Sequence, residues 1–259
     1  MHILVTNDDG VMAPGLLALA QAMRPLGKVT ILAPDRNWSA SGHVKTLERP
    51  LRVKEVRLAD GTTAFASDGA PSDCVALATL GLFPEPIDLV VSGVNPNINI
   101  GHDVTYSGTV TAAMEAVIGG IPGIAFSLNS PADHPGPLDY STASQVAQKV
   151  AEAVIANCLP ADTLLNVNIP YLPFEQIKAF RITRQGLRIY LDKLVKRLDP
   201  RGRPYYWIGG DAPTAVLEEG TDYHAIMDGC VSITPLQLDL TDYPAQKTLQ
   251  NWTWDNKAN

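Results

Sequence analysis

Between Ile3 and Ile169 the chain alternates short strand-like runs with longer segments whose apolar residues recur at helical spacing. Ile3–Val5, Lys28–Leu32, Ile87–Val91, Gly123–Ser127 and Leu164–Ile169 read as strands. Leu51–Arg57 alternates apolar with charged residues, as a half-exposed strand does. Leu16–Met23, a segment running from Pro71 towards Leu80, Thr109–Ile118 and Ser141–Ala156 read as helices. Pro71 has no N–H to leave unpaired in a first turn, and Gly119-Gly120 with Pro122 closes the helix before them. Strands and helices alternating in this way form parallel βαβ units, so helices cover both faces of a mostly parallel sheet. The fold class expected is α/β.

From about residue 172 the rhythm changes. Lys178–Thr183, Leu187–Leu191 and Cys230–Thr234 look like strands, Asp199-Pro-Arg-Gly-Arg-Pro like a polar turn, and Tyr205-Tyr206-Trp207-Ile208 forms an aromatic run. The segment 172–220 is too short to enclose a core. It is expected to be a hairpin or arm protruding from a single domain over 1–259. A polar, irregular tail is expected over 243–259 despite Trp252 and Trp254. An apolar strip that its own segment cannot bury marks an interface, so at least a homodimer is expected, with a tetramer as the larger alternative.

Asp8 and Asp9 stand where the first strand ends and the chain turns at Gly10. In open parallel sheets ligands bind outside the carboxyl ends of the strands. Adjacent carboxylates repel unless a cation or a basic partner neutralises them, and the nearest Lys or Arg in sequence is Arg24. A divalent metal answers that repulsion; an Asx-type turn ahead of a helix is the plainer reading. The loop after the second strand supplies Ser39, Ser41 and His43, and the loop after Ile87–Val91 supplies Asn95. Parallel strands bring these loops to one edge. Ser39 alone reads as a helix cap, and Asn95 as a turn former beside Pro96. Together they add a hydroxyl and an amide oxygen to two carboxylates, a set of hard donors suited to Mg²⁺ or Mn²⁺ and poor for zinc.

A dozen residues after Asn95, Ser107 is placed to cap a helix that Gly108 and Thr109 open. Orphan N–H groups at such a start bind anions, phosphate included. The Gly-x-x-x-x-Gly-Lys-Ser/Thr pattern of a P-loop is absent. His43, His102 and His224 have no metal-ligand spacing and read as structural, Arg201 and Arg203 as a solvated turn, and Glu115 as locally paired. Tyr205, Tyr206 and Trp207 read as an interface or core strip sooner than as a platform for a base.

Composition narrows the partners. A net charge of −7 argues against a stable nucleic-acid partner, which calls for a basic face, and leaves a small phosphorylated substrate open. Cys74, Cys158 and Cys230 are odd in number and far apart, as in a reducing compartment. No signal-peptide pattern opens the chain, and no apolar run approaches the ~20 residues that span a bilayer. A cytoplasmic setting without a membrane partner is expected.

Asn7-Asp-Asp-Gly, Ala33-Pro-Asp-Arg-Asn with Ser39-Ala-Ser-Gly-His, Ser92-Gly-Val-Asn-Pro-Asn, Gly101-His-Asp-Val-Thr-Tyr-Ser-Gly-Thr-Val, and Gly220-Thr-Asp-Tyr-His with Ser232-Ile-Thr-Pro-Leu resemble, in this order, the motifs of the SurE family. They cover residues 1 to about 241. The resemblance implies a Rossmann-like three-layer α/β sandwich whose arm serves oligomerisation. It also implies a divalent-metal-dependent phosphatase acting on nucleoside 5′-monophosphates, with 3′-monophosphates and other phosphate esters as further substrates. Its metal ligands fall on Asp8, Asp9, Ser39 and Asn95, holding one Mg²⁺ or Mn²⁺ per subunit. Asp8, Asp9 and Asn95 are the catalytic candidates. Asn95, Ser107, Gly108 and Thr109 are the candidates for phosphate. Thr111 stands where the family commonly has glycine, a change expected to narrow the phosphate pocket, and Val44-Lys45 replaces a Ser-containing stretch, a change expected to alter the mouth of the site.

Two other classes compete with a hydrolase. A non-catalytic nucleotide-sensing module would use the same sheet edge but needs no metal-ligand set. A nucleotide-sugar transferase would need a longer chain with two full Rossmann domains. A dinucleotide dehydrogenase is disfavoured because no Gly-x-Gly-x-x-Gly follows the first strand.

Overall fold

Ile3, Leu4 and Val5 are wholly inaccessible in β1 (His2–Thr6), which lies inside a sheet covered on both faces. The computed structural model describes residues 1–253; residues 254–259 of the expected polar tail, Trp254 among them, lie outside the described residues. Beside β1 run β2 (Lys28–Pro34) and β5 (Leu89–Asn95), both parallel to it. The strands β3 (Val53–Arg57), β4 (Thr63–Ser67), β6 (Gly123–Asn129), β7 (Thr163–Pro170), β8 (Phe180–Ile182) and β11 (Val231–Gln237) complete a nine-stranded sheet among the described residues. Its order is β3-β4-β2-β1-β5-β6-β7-β11-β8. The block from β4 to β7 is parallel; β3 runs antiparallel to β4, and β11 antiparallel to β7.

Four helices connect the parallel strands. α1 (Pro14–Met23) and α4 (Ser141–Asn157) bury Leu16, Leu19, Met23, Val146 and Val150 against one face. α2 (Pro71–Leu77) and α3 (Gly108–Ile118) bury Cys74, Val75, Ala112 and Ala116 against the other. This is the three-layer arrangement that the alternating pattern demands. From β1 the chain moves outward to β2 on one side and later resumes at β5 on the other. The gap between β1 and β5 is therefore the topological switch point, where the two following loops diverge and leave a crevice.

The departures from the sequence reading have local causes. β4 was hidden because Thr63-Ala-Phe-Ala-Ser carries small residues instead of the β-branched ones that mark strands. A short helix, α5 (Asp222–Met227), starts at Thr221, whose hydroxyl accepts the His224 N–H. The tail expected to be irregular contains α6 (Tyr243–Leu249), a correction. Asp242 caps it by accepting from the Ala245 N–H, and Pro244 sits in its first turn.

The two-stranded excursion consists of β9 (Arg188–Leu198) and β10 (Pro204–Ala215), paired antiparallel with Tyr205 opposite Arg197 and Trp207 opposite Val195. It lies inside the 172–220 segment. Earlier residues of that segment stay with the body, since β8 pairs with β11 in the main sheet. At the hairpin tip Asp199 accepts from the N–H groups of Arg201 and Arg203. No helix among the described residues is long and apolar enough to cross a membrane.

Asp222 ties the hairpin's root to the body. Its fully buried carboxylate accepts from the Gly101 N–H at one oxygen and from the Gly186 and Tyr223 N–H groups at the other, each at 2.8 Å. Removing the acceptor orphans buried donors, which costs far more than a net hydrogen bond is worth. We expect Asp222→Ala to lower unfolding stability by about 3 kcal/mol and to speed proteolytic cutting near Gly186. An unchanged urea midpoint and cutting rate would mean that the root is held by something else.

Candidate metal and active site

The turn after β1 is built by Asn7. Its side chain accepts from the Gly10 N–H at 3.2 Å and donates to the Gly10 carbonyl at 3.1 Å, closing the turn that carries Asp8 and Asp9. Gly10 has φ +104°, a conformation that side-chain-bearing residues rarely adopt. The plainer reading of this segment, a local turn, is thus present, but Asn7 makes it and leaves both aspartates free for other work.

Asp8 is buried and faces the start of α3. The Thr109 hydroxyl donates to its Oδ1 at 2.6 Å. Gly108 passes so close that a Cβ there would lie 2.7 Å from the Asp8 Cβ, so only glycine lets the helix end reach the carboxylate. Ser107 caps the helix by accepting the Val110 N–H at 3.1 Å. Burial pushes the Asp8 pKa up, while the Thr109 hydroxyl and the backbone of Gly108 and Thr109 pull it back without cancelling the rise. Asp9, half-buried, is pushed up to about 7 by desolvation and then by the Asp8 charge. Among the described residues no Lys, Arg or His pairs with either carboxylate.

Asn95 ends β5 across the switch point. Its amide nitrogen donates to the Asn97 carbonyl, which leaves Oδ1 as the free end. The following loop is pinned by a buried amide network that sequence reasoning missed. Asn99 donates its N–H to Asn168 Oδ1 and its amide to Ser127 Oγ, both at 2.8 Å, while Asn166 and Asn168 donate to its carbonyl. Asparagines in a core strand were the available signal, since buried polar side chains there need partners.

Ser39 lies exposed on a turn whose entry is fastened to the carboxylate segment, the Trp38 N–H donating to the Asp8 carbonyl at 2.7 Å. His43, read as structural, places Nε2 2.8 Å from Glu115 Oε2, and Lys45 donates to the other Glu115 oxygen at 2.9 Å. Burial opposes ionisation of Glu115, but these two hydrogen bonds outweigh it and hold its carboxyl below the usual range. The two positions that depart from the family pattern act here. Thr111 donates to the Gly42 carbonyl at 3.1 Å, and Lys45 joins the Glu115 pair. His102 is exposed and His224 sits in the first turn of α5. Arg201 and Arg203 are at the hairpin tip; Tyr205, Tyr206 and Trp207 are exposed along β10.

Tyr140 was not singled out by sequence. Its ring packs against Gly15 in α1, and burial followed by the Asp9 charge pushes its phenol up to about 12. It is therefore a neutral phenol that feels the Asp9 charge. An isolated tyrosine ahead of a helix carries no pattern that reveals this.

Among the described residues no three His, Cys, Asp or Glu side chains gather as a metal cluster. A cation at this edge would be held by two carboxylates and neutral oxygens. Those are hard donors of the kind Mg²⁺ and Mn²⁺ take, and the uncompensated charge of Asp8 and Asp9 fits such an ion.

A mostly parallel sheet covered by helices on both faces, with paired carboxylates at its switch point, defines a Rossmann-like α/β protein. The chain belongs to the SurE family: the profile of Survival protein SurE matches residues 3–192. It is 52% identical over 256 residues to the 5′-nucleotidase SurE of Herpetosiphon aurantiacus, covering 99% of this chain and all of that one. It is also 52% identical to the 5′-nucleotidase SurE of Geobacter sulfurreducens, over 97% of this chain and 94% of the other. The crystal structure of the SurE protein from Aquifex aeolicus superposes with a TM-score of 0.81 at 41% identity, over 96% of this chain and 98% of that one.

The raised carboxylate pKa values make stability depend on pH. In the unfolded chain Asp9 titrates near 3.8; in the folded, metal-free protein near 7. Between these values the folded protein holds the extra proton, so metal-free stability falls as pH rises from about 4 to about 7. We expect Asp9→Asn to abolish its share of that fall and to stabilise the metal-free protein at pH 8 by about 2 kcal/mol after solvent screening. Urea unfolding in EDTA at pH 5 and pH 8 measures it. Equal stability of mutant and wild type at pH 8 would refute the raised Asp9 pKa.

Proposed function

We propose that the protein is a divalent-metal-dependent phosphatase that hydrolyses nucleoside 5′-monophosphates to nucleoside and phosphate. The observation that carries this reading is the uncompensated carboxylate pair, Asp8 and Asp9, held at the switch point of the sheet. The names of the relatives, 5′-nucleotidase SurE, supply the reaction class. A nucleotide-sensing module could use the same crevice, but binding alone gains nothing from two adjoining carboxylates that repel each other. A nucleotide-sugar transferase finds no support among these relatives.

The proposed ligands are Asp8, Asp9, Ser39 and Asn95, with one Mg²⁺ or Mn²⁺ in each subunit. When bound, such an ion supplies Lewis-acid polarisation of a phosphoryl oxygen and a water of lowered pKa. The chain's own groups set the geometry. Thr109 and the α3 start fix the Asp8 carboxylate, Asn97 orients the Asn95 amide, and Asp9 is the less constrained carboxylate, placed to orient an attacking water. For the phosphate we favour the space between Asn95 and the Ser107–Thr109 turn, where the α3 dipole favours negative charge. The Gly108 and Thr109 amides are already turned towards Asp8. The phosphate must therefore share this end of the helix with the carboxylate, and the Ser107 hydroxyl proton is the donor left over. The three cysteines are free thiols, which supports a reducing, cytoplasmic setting.

We also infer a homodimer at least, built through the hairpin. Leu194, Tyr206, Trp207 and Ile208 are each more than half exposed on it, an apolar strip of a size that a monomer rarely leaves to water. Deleting residues 185–207 and rejoining the chain should give a smaller particle by light scattering than the full chain. A full-length protein that is already monomeric at micromolar concentration would end this inference.

For the reaction itself, phosphate release from nucleoside monophosphates and from an aryl phosphate should require Mg²⁺ or Mn²⁺ and stop in EDTA. Asp8→Asn should lower kcat at least 100-fold without unfolding the protein, as expected when a group that fixes transition-state charge is lost. Turnover that persists in EDTA would exclude the metal mechanism, whatever the mutant does.

A further inference from the structure

Three residues on one stripe of α3 divide the site between them. Gly108, Thr111 and Glu115 follow each other at spacings of three and four, so they face the same way. Gly108 abuts the Asp8 side chain, Thr111 donates to the Gly42 carbonyl, and Glu115 receives His43 and Lys45. One end of the helix thus sets the carboxylate, and the next two turns grip the loop that carries Ser39.

That loop needs gripping. The Ser39 side chain is exposed, and Ala40 next to it sits at φ +58°. The turn closes through the Ser41 N–H to the Trp38 carbonyl at 3.1 Å. Upstream, Trp38 is tied to Asp8; downstream, the Gly42 N–H donates to the Tyr106 carbonyl at 2.9 Å. Past Gly42 the loop is held from two helices: the Val44 carbonyl accepts from the Ser72 hydroxyl and Thr46 donates to Asp73 on the α2 side, while on α3 the Glu115 carboxylate, only 6% exposed, receives the Lys45 ammonium and the His43 ring together. Charge-assisted pairs of this kind are about twice as strong as neutral hydrogen bonds.

We propose that Glu115 is a positioning residue for the metal site: through His43 and Lys45 it clamps the 39–45 loop onto α3 and so sets the place of the Ser39 hydroxyl relative to Asp8 and Asp9. The proposal rests on the reading above that Ser39 is a ligand. Groups that orient ligands from outside cost about 10–100-fold in metal affinity when lost.

The experiment is a double-mutant cycle read as Mn²⁺ affinity of the metal-free protein, by electron paramagnetic resonance of free Mn²⁺, without substrate. Ser39→Ala and Glu115→Gln should each weaken binding about 10-fold. The double variant should bind no more weakly than Ser39→Ala alone, because a lost ligand no longer benefits from being positioned. Multiplying losses would mean that Glu115 acts through general charge or stability, and the proposal would fail. Unchanged affinity in Glu115→Gln beside a weakened Ser39→Ala would also overturn it. Wild-type affinity in Ser39→Ala would instead remove Ser39 from the ligand set, refuting that part of the proposed function and this inference with it. If Glu115→Gln does not fold, His43→Gln combined with Lys45→Met releases the loop from its other side. It must show the same non-multiplying loss.

Discussion

The contact between the Asp8 carboxylate and the first turn of α3 is the constraint on which the site depends. It joins the end of β1 to the helix that follows β5, across the switch point of the sheet. A helix N-terminus stabilises a nearby carboxylate by about 0.3–2 kcal/mol. Desolvating a buried carboxylate costs several kcal/mol. The second effect wins, which is why the Asp8 pKa is raised even with the Thr109 hydroxyl and the helix end in contact. Asp9 alongside raises the deficit. The protein thus keeps a pair of groups that it does not itself neutralise, and a cation is the simplest means of offsetting them.

Around that contact the loops are held by unlike devices. The Asn95 loop is fixed from beneath by neutral amides, Asn99, Asn166 and Asn168, which need no charge because they are buried within the body. The Ser39 loop lies at the surface, where a neutral hydrogen bond competes with water and adds little. Its tether is ionic and half-sheltered, with Glu115 buried and Lys45 exposed. Asp222 uses a third device, a buried carboxylate saturated by backbone N–H groups, to root the hairpin near the same end of the molecule. Each is suited to the amount of water its segment meets.

The hairpin obeys a different logic from the body. Its strands satisfy their backbone groups against each other, so it forms without a core. Its side chains are left outside, Ile208 82% exposed and Leu194 72%. Nothing in such a pairing buries them.

The sequence by itself determined the layered α/β class, the parallel strands β1, β2, β5, β6 and β7 but not β4, and the ends of those strands at which Asp8, Asp9 and Asn95 fall. Those features follow from periodicity and from turn residues, which act over a few neighbours. It could also have revealed α6, because Asp242 and Pro244 are local signals; the polar composition of the tail concealed them. The tertiary structure alone decided what faces what. That Thr109 and Gly108 serve Asp8, that Glu115 receives His43 and Lys45, and that Asp222 holds Gly101 and Gly186 are all contacts between distant segments. No local spacing encodes them. They arise when the sheet order brings separate loops to one edge, where burial favours pairing of polar groups, although Trp38 Nε1 and Ser41 Oγ are buried there without a partner.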